Sequence, residues 1–94
     1  MALRGPLFLA MKLELFYFDE CPYCQIVLEV IDDQELNSKV TLCNVRKNPQ
    51  FRDRHQKTTG RTTVPCLYID DKPMFESRDI ARWLEVNRKK ISEG

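Results

Sequence analysis

Two stretches rich in apolar and β-branched residues, Leu13 to Phe18 and Lys39 to Val45, flank a helical pattern, and that succession constrains the fold most. "LELFYF" is too short for a core helix and reads as a strand buried on at least one face. "PYCQIVLEVIDDQEL", Pro22 to Leu36, places Cys24, Val27, Leu28 and Ile31 at helical spacing. Pro22 suits the first helical position, where its missing N–H is no loss. "KVTLCNV" is then a second strand. Asn48-Pro49 reads as an N-cap and first-turn proline, opening a helix that stops at Gly60. A third strand, Cys66 to Asp70, turns at Asp71-Lys72 into a short fourth, Pro73 to Glu76. Ser77 is expected to cap a last helix whose apolar face is Ile80, Trp83, Leu84 and Ile91. The order β-α-β-α-β-β-α predicts an α/β fold, one four-stranded mixed sheet flanked by three helices.

Ninety-four residues fit one domain with a modest core, and 43% hydrophobic with 31% charged residues is the balance of a soluble globular chain. Formal charge is +1 and the basic residues are scattered, so neither nucleic acid nor a membrane is expected as partner. "MALRGPLFLAM" lacks the apolar length of a secretory signal or of a membrane span, which needs about 20 residues. It is expected to be an N-terminal extension (1–11) ahead of a domain at 12–94, with Met11 a candidate natural start. A cytoplasmic location follows as an expectation. In that setting the four cysteines, at 21, 24, 43 and 66, are not expected to form structural bridges.

Cys21 and Cys24 stand three positions apart, where the first strand hands over to the first helix. There the unpaired N–H groups and the positive end of the helix favour an anion, and a thiolate is that anion. Cys21 is therefore the expected nucleophile, at a solvent-facing helix cap. Cys24, one turn further in, can attack a mixed disulfide from behind. Asp19 and Glu20 oppose this, because negative charge disfavours a thiolate, although screening weakens solvated acids. A structural zinc site wants four ligands, and one C-x-x-C pair, one histidine and two isolated cysteines supply it poorly, so no metal is expected. Cys43 and Cys66 read as packing residues, Trp83 as core, and His55, among Arg52, Arg54 and Lys57, as a surface residue.

"CPYC" together with "TGRTTVP" resembles the glutaredoxin family of the thioredoxin superfamily, over nearly the whole chain from Lys12 to about Ile91. The resemblance implies a thioredoxin fold and glutathione-dependent reduction of protein disulfides or glutathione mixed disulfides. Glutathione would be a co-substrate, with no tightly bound cofactor, and the protein a monomer. Carried over by position, Cys21 attacks and Cys24 resolves. Tyr23 lies beside the tripeptide, while Thr63, Val64 and a cis Pro65 pair with its cysteinyl backbone. Arg52 matches the site for the glycyl carboxylate. "FESRDI" looks more like the Glu-Ser turn of the glutathione transferase N-terminal domain. There the N–H groups of Ser77 and Arg78 would take the γ-glutamyl carboxylate, and Glu76 or Asp79 its ammonium.

Many glutaredoxins carry a lysine where this chain has Phe18, so Arg52 or a nearby base such as Arg61 would have to compensate. That departure keeps two alternatives in play, a redoxin reduced by thioredoxin reductase and a non-enzymatic glutathione-ligated iron–sulfur carrier. A full transferase is not expected, since no second helical domain follows.

Overall fold

The computed structural model describes residues 11–94. The expected N-terminal extension lies, but for Met11, outside the described residues. Met11 itself is half-buried against the core.

The elements are β1 (Leu13–Tyr17), α1 (Pro22–Asp33), β2 (Thr41–Asn44), α2 (Pro49–Thr59), β3 (Cys66–Ile69), β4 (Lys72–Phe75), α3 (Ser77–Val86) and α4 (Arg88–Glu93). The sheet order is β2-β1-β3-β4, with β1 parallel to β2 and antiparallel to β3, and β3 antiparallel to β4. Because side chains alternate along a strand, β1 feeds two cores. Leu13 and Leu15 pack with Val27, Ile31, Leu67, Ile80, Leu84 and Ile91, under α1, α3 and α4. Phe16 faces the other way, among Cys43, Val45, Cys66, Tyr68 and Phe51 of α2. The first strand is thus buried on both faces, and removing Phe16 from water stabilises the fold by about 1.5–3 kcal/mol.

α2 follows its local signals closely. The Asn48 side chain accepts a hydrogen bond from the Gln50 N–H at 3.1 Å, Pro49 is the first helical residue, and Gly60 closes the helix at φ 77°. α1 ends earlier than its apolar pattern implies. Glu35 enters the left-handed region at φ 57°, the Leu36 N–H donates to the Ile31 carbonyl at 2.8 Å, and Leu36 is fully buried outside the helix.

The last helix is two helices rather than one. The Asn87 side chain donates to the Trp83 carbonyl at 2.9 Å, beside its own backbone N–H at 3.0 Å. That local competition ends α3, and α4 restarts at Arg88. Ile91 still reaches the core, while Trp83 is half-buried at its edge. Ser77 is the first residue of α3 and not its cap. Glu76 holds the cap position, at φ 76°, without a side-chain cap bond.

Candidate active site

β1 delivers the chain to a tight turn in which the Cys21 N–H donates to the Phe18 carbonyl at 3.3 Å. Cys21 is the N-cap of α1, in extended geometry at φ −83° and ψ 115°, and its Sγ accepts a hydrogen bond from the Cys24 N–H at 3.2 Å. The cap is the one expected, but its side chain does not face solvent, since Cys21 is only 6% exposed. Pro22 starts the helix after it, so the first N–H that can turn back to the sulfur comes from further along the turn. Cys24 is fully buried. Burial pushes its thiol up, the hydrogen bond with Cys21 adds to that, and the result is about 12. Cys24 therefore stays a thiol at neutral pH.

Asp19 and Glu20 do not bear on Cys21 as free anions. Asp19 pairs with Lys47 at 3.5 Å and meets the Asn44 amide at 3.4 Å, while Glu20 pairs with Arg46 at 3.3 Å. These partners follow β2, which is parallel to β1, so equivalent ends of the two strands carry opposite charge. The Arg46 guanidinium also lies 3.7 Å from the centre of the Phe18 ring. A cation thus stands against Phe18, although residue 18 itself is apolar.

The Val64-Pro65 peptide is cis. Tyr23, Thr63, Val64, Pro65, Glu76, Ser77, Arg78 and Asp79 share the walls of one cavity of about 590 Å³, with Arg61 and Phe75. All eight are among the candidate binding residues of the sequence. Tyr23 is 64% exposed, as a residue available to a ligand must be. Arg61 lies over the Phe75 ring, 4.5 Å from its centre. At the far end the Ile80 N–H donates to the Glu76 carbonyl at 3.0 Å. The N–H groups of Ser77, Arg78 and Asp79 thus precede the first intrahelical bond and are free of it.

Arg52 does not join this cavity. With Phe18, Val45, Arg46, Pro49 and Thr62 it lines a second, of about 340 Å³. Arg46 was missed in the sequence. Its signal lay in charge pairing, since Arg46 and Lys47 directly follow the predicted strand Lys39–Val45 and answer Asp19 and Glu20.

His55 overturns its expectation. It is 1% exposed, packed among the rings of Phe16, Tyr68 and Phe75 at centroid distances of 5.4, 5.7 and 5.8 Å. Arg52, Asp53, Gln56 and Lys57 are exposed and Arg54 reaches over the Phe16 ring to pair with Glu14 at 3.1 Å, while Phe51 and His55, one turn apart, point in. Cys43 and Cys66 are buried packing residues as read, and burial pushes both thiols up, Cys66 to about 12. Among the described residues no group of three or more His, Cys, Asp or Glu side chains comes together as a metal site.

A mixed sheet in the order β2-β1-β3-β4, with a cysteine pair at the start of α1 and a cis proline entering β3, is a thioredoxin fold. Residues 15–90 match the family model of the glutathione S-transferase N-terminal domain. A probable glutaredoxin of Acanthamoeba polyphaga mimivirus is 32% identical over 81 residues, covering 77% of this chain and 76% of that protein. The chain belongs to this family, as a glutaredoxin-like protein of the thioredoxin superfamily.

Solved structures agree on the fold. Oxidized glutaredoxin 2 from Chlamydomonas reinhardtii superposes with a TM-score of 0.63 at 21% identity, over 86% of this chain and 78% of that one. A glutathione transferase homolog from Drosophila mojavensis, solved with bound glutathione, gives 0.69 at 21% identity, over 85% of this chain. The chain spans only 36% of that transferase's length.

Proposed function

We propose that this protein is a glutathione-dependent thiol–disulfide oxidoreductase acting on protein disulfides and glutathione mixed disulfides. The observation that carries the reading is the Cys21 sulfur at the N-cap of α1, accepting the Cys24 N–H at 3.2 Å with the Cys24 thiol buried behind it. That hydrogen bond and the helix N-terminus stabilise negative charge on Cys21 sulfur, both as attacking thiolate and as leaving group.

With a glutathione mixed disulfide, the Cys21 thiolate attacks the glutathione sulfur and expels the substrate thiolate, which takes up a proton. The thiolate of a second glutathione attacks the adduct, forming oxidised glutathione and returning Cys21. With a protein disulfide, the Cys21 thiolate attacks one sulfur, the substrate S–S bond breaks as the Cys21–protein disulfide forms, and the other substrate sulfur leaves as a thiolate that takes up a proton. Cys24 loses its proton, attacks Cys21 sulfur and releases the substrate. Two glutathiones then reduce the Cys21–Cys24 disulfide.

The cavity walls match the parts of glutathione. Thr63, Val64 and Pro65 line the cavity where the cysteinyl residue would pair with backbone, with Tyr23 alongside. The first-turn N–H groups of α3 suit the γ-glutamyl carboxylate, and Glu76 and Asp79 its ammonium. Arg46 and Arg52, beside the second cavity, suit the glycyl carboxylate. The glutathione-bound transferase homolog and the glutaredoxins supply independent support. The reading places the chain in the cytosol, as a monomer, where glutathione is kept reduced.

A side-by-side reduction assay tests it, one arm with glutathione, glutathione reductase and NADPH, the other with thioredoxin and its reductase. The mixed disulfide of glutathione and 2-mercaptoethanol and a protein disulfide serve as substrates. Turnover is expected in the glutathione arm, abolished by Cys21→Ser and partly retained by Cys24→Ser on the mixed disulfide. Turnover in the thioredoxin arm alone overturns the choice of reductant.

A further inference from the structure

A buried histidine stands directly behind the loop that carries the cis proline. Its Nε2 lies 2.7 Å from the Thr63 carbonyl oxygen and its Nδ1 2.6 Å from the Tyr68 hydroxyl. A carbonyl only accepts, so Nε2 carries the proton of that bond. In the neutral ring Nδ1 is then an acceptor, and the Tyr68 hydroxyl must donate to it. Burial pushes the Tyr68 phenol up to about 12, which keeps that proton in place.

The relay crosses the molecule from β3 through α2 to the loop. Tyr68 is held in the sheet, where it faces Glu14 of β1 and Pro73 of β4. The segment from Arg61 to Pro65 contains no helix or strand, so a side chain anchoring Thr63 substitutes for the ladder a strand would supply. Three aromatic rings surround the buried imidazole and hold its plane.

We propose that His55 is a positioning residue, holding the Thr63–Pro65 edge in register for substrate through the Tyr68–His55–Thr63 hydrogen-bond relay. It touches no substrate itself. The inference rests on the oxidoreductase reading for its kinetic consequence but not for its physical content. Losing one such bond costs about tenfold in substrate affinity.

The test combines three measurements on the full chain. First, ¹H–¹⁵N correlation spectra of the wild-type ring at pH 8 should show a single Nε2–H tautomer. A ring protonated at Nδ1 overturns the proposal. Second, His55→Leu should lower the backbone order parameters of Thr63 and Val64 from about 0.85 toward 0.6. Third, it should raise KM for the glutathione–mercaptoethanol disulfide about tenfold, with kcat within about twofold. His55→Gln, which keeps an N–H for the Thr63 carbonyl, should restore both. A folded His55→Leu protein with unchanged order parameters and KM overturns the proposal, as does failure of glutamine to rescue. Should His55→Leu not fold, Tyr68→Phe, which leaves Nδ1 without its donor while the carbonyl still holds the proton on Nε2, should lower the Thr63 and Val64 order parameters and raise KM; unchanged order parameters and KM overturn it. If the wild type does not turn over the disulfide, the functional reading fails, while the tautomer and the order parameters still decide the role of His55.

Discussion

Alkylation by iodoacetamide at pH 8 separates the four cysteines by a margin the structure sets. The reagent attacks thiolates. A thiol at 9.0 is about one-tenth ionised at pH 8, whereas Cys24 and Cys66, raised to about 12, are about 10⁻⁴ ionised. Ionisation alone therefore slows them about a thousandfold. Both are fully buried, so reagent reaches them only after opening, and a domain stable by about 5 kcal/mol opens globally about one part in 10⁴. Cys21, with its sulfur at the helix cap, should take the first equivalent. The assay pulses reduced protein with reagent, quenches, unfolds in guanidinium chloride and labels the remaining thiols with a heavy isotope. Peptide mass spectra then give a rate for each cysteine. One equivalent is expected on Cys21 in the native pulse, the other three only after unfolding. Raising the pH from 8 to 9 should speed Cys24 about fivefold, because the thiol reacts in the opened chain, where burial no longer raises it above 9.0. Labelling of Cys24 or Cys66 in the folded protein within tenfold of the unfolded rate would refute the reasoning.

The same thiols should make the fold sensitive to alkali. Their folded values lie above the unfolded one, so their contribution is fully present below pH 9 and is lost as pH rises toward 12. At pH 10 each costs on the order of 1 kcal/mol, so urea unfolding under reducing conditions should show about 2 kcal/mol less stability than at pH 8, and Cys66→Val should halve the loss. A flat profile would sink this account of the buried thiols. Gly60→Ala should cost about 1 kcal/mol, seen as a fall of about 4–8 °C in Tm, through backbone conformation alone. Gly60 sits at φ 77° and a Cβ there would meet nothing within 4 Å, so an unchanged Tm would contradict the strain argument. Arg46→Ala should leave stability within about 1 kcal/mol, since its pair with Glu20 is largely exposed. It should raise KM for glutathione about tenfold, and an unaltered KM would remove Arg46 from the site.

What the sequence determined by itself was whatever a few neighbouring residues encode. Cys21-Pro22 places a helix start, Asn48-Pro49 another, and Gly60 a stop, because capping geometry is settled within one turn. Apolar periodicity likewise assigned Val27, Ile31, Ile80, Leu84 and Ile91 to apolar helix faces that prove buried, and the order of elements implied a mixed sheet. Tertiary structure alone decided the rest. His55 is buried because Tyr68 and the Thr63 carbonyl satisfy both ring nitrogens, and neither partner is marked by helical spacing. Asp19 and Glu20 are neutralised because parallel pairing brings Arg46 and Lys47 alongside. A polar side chain goes where its hydrogen bonds are met, and those partners are fixed only when distant strands come together.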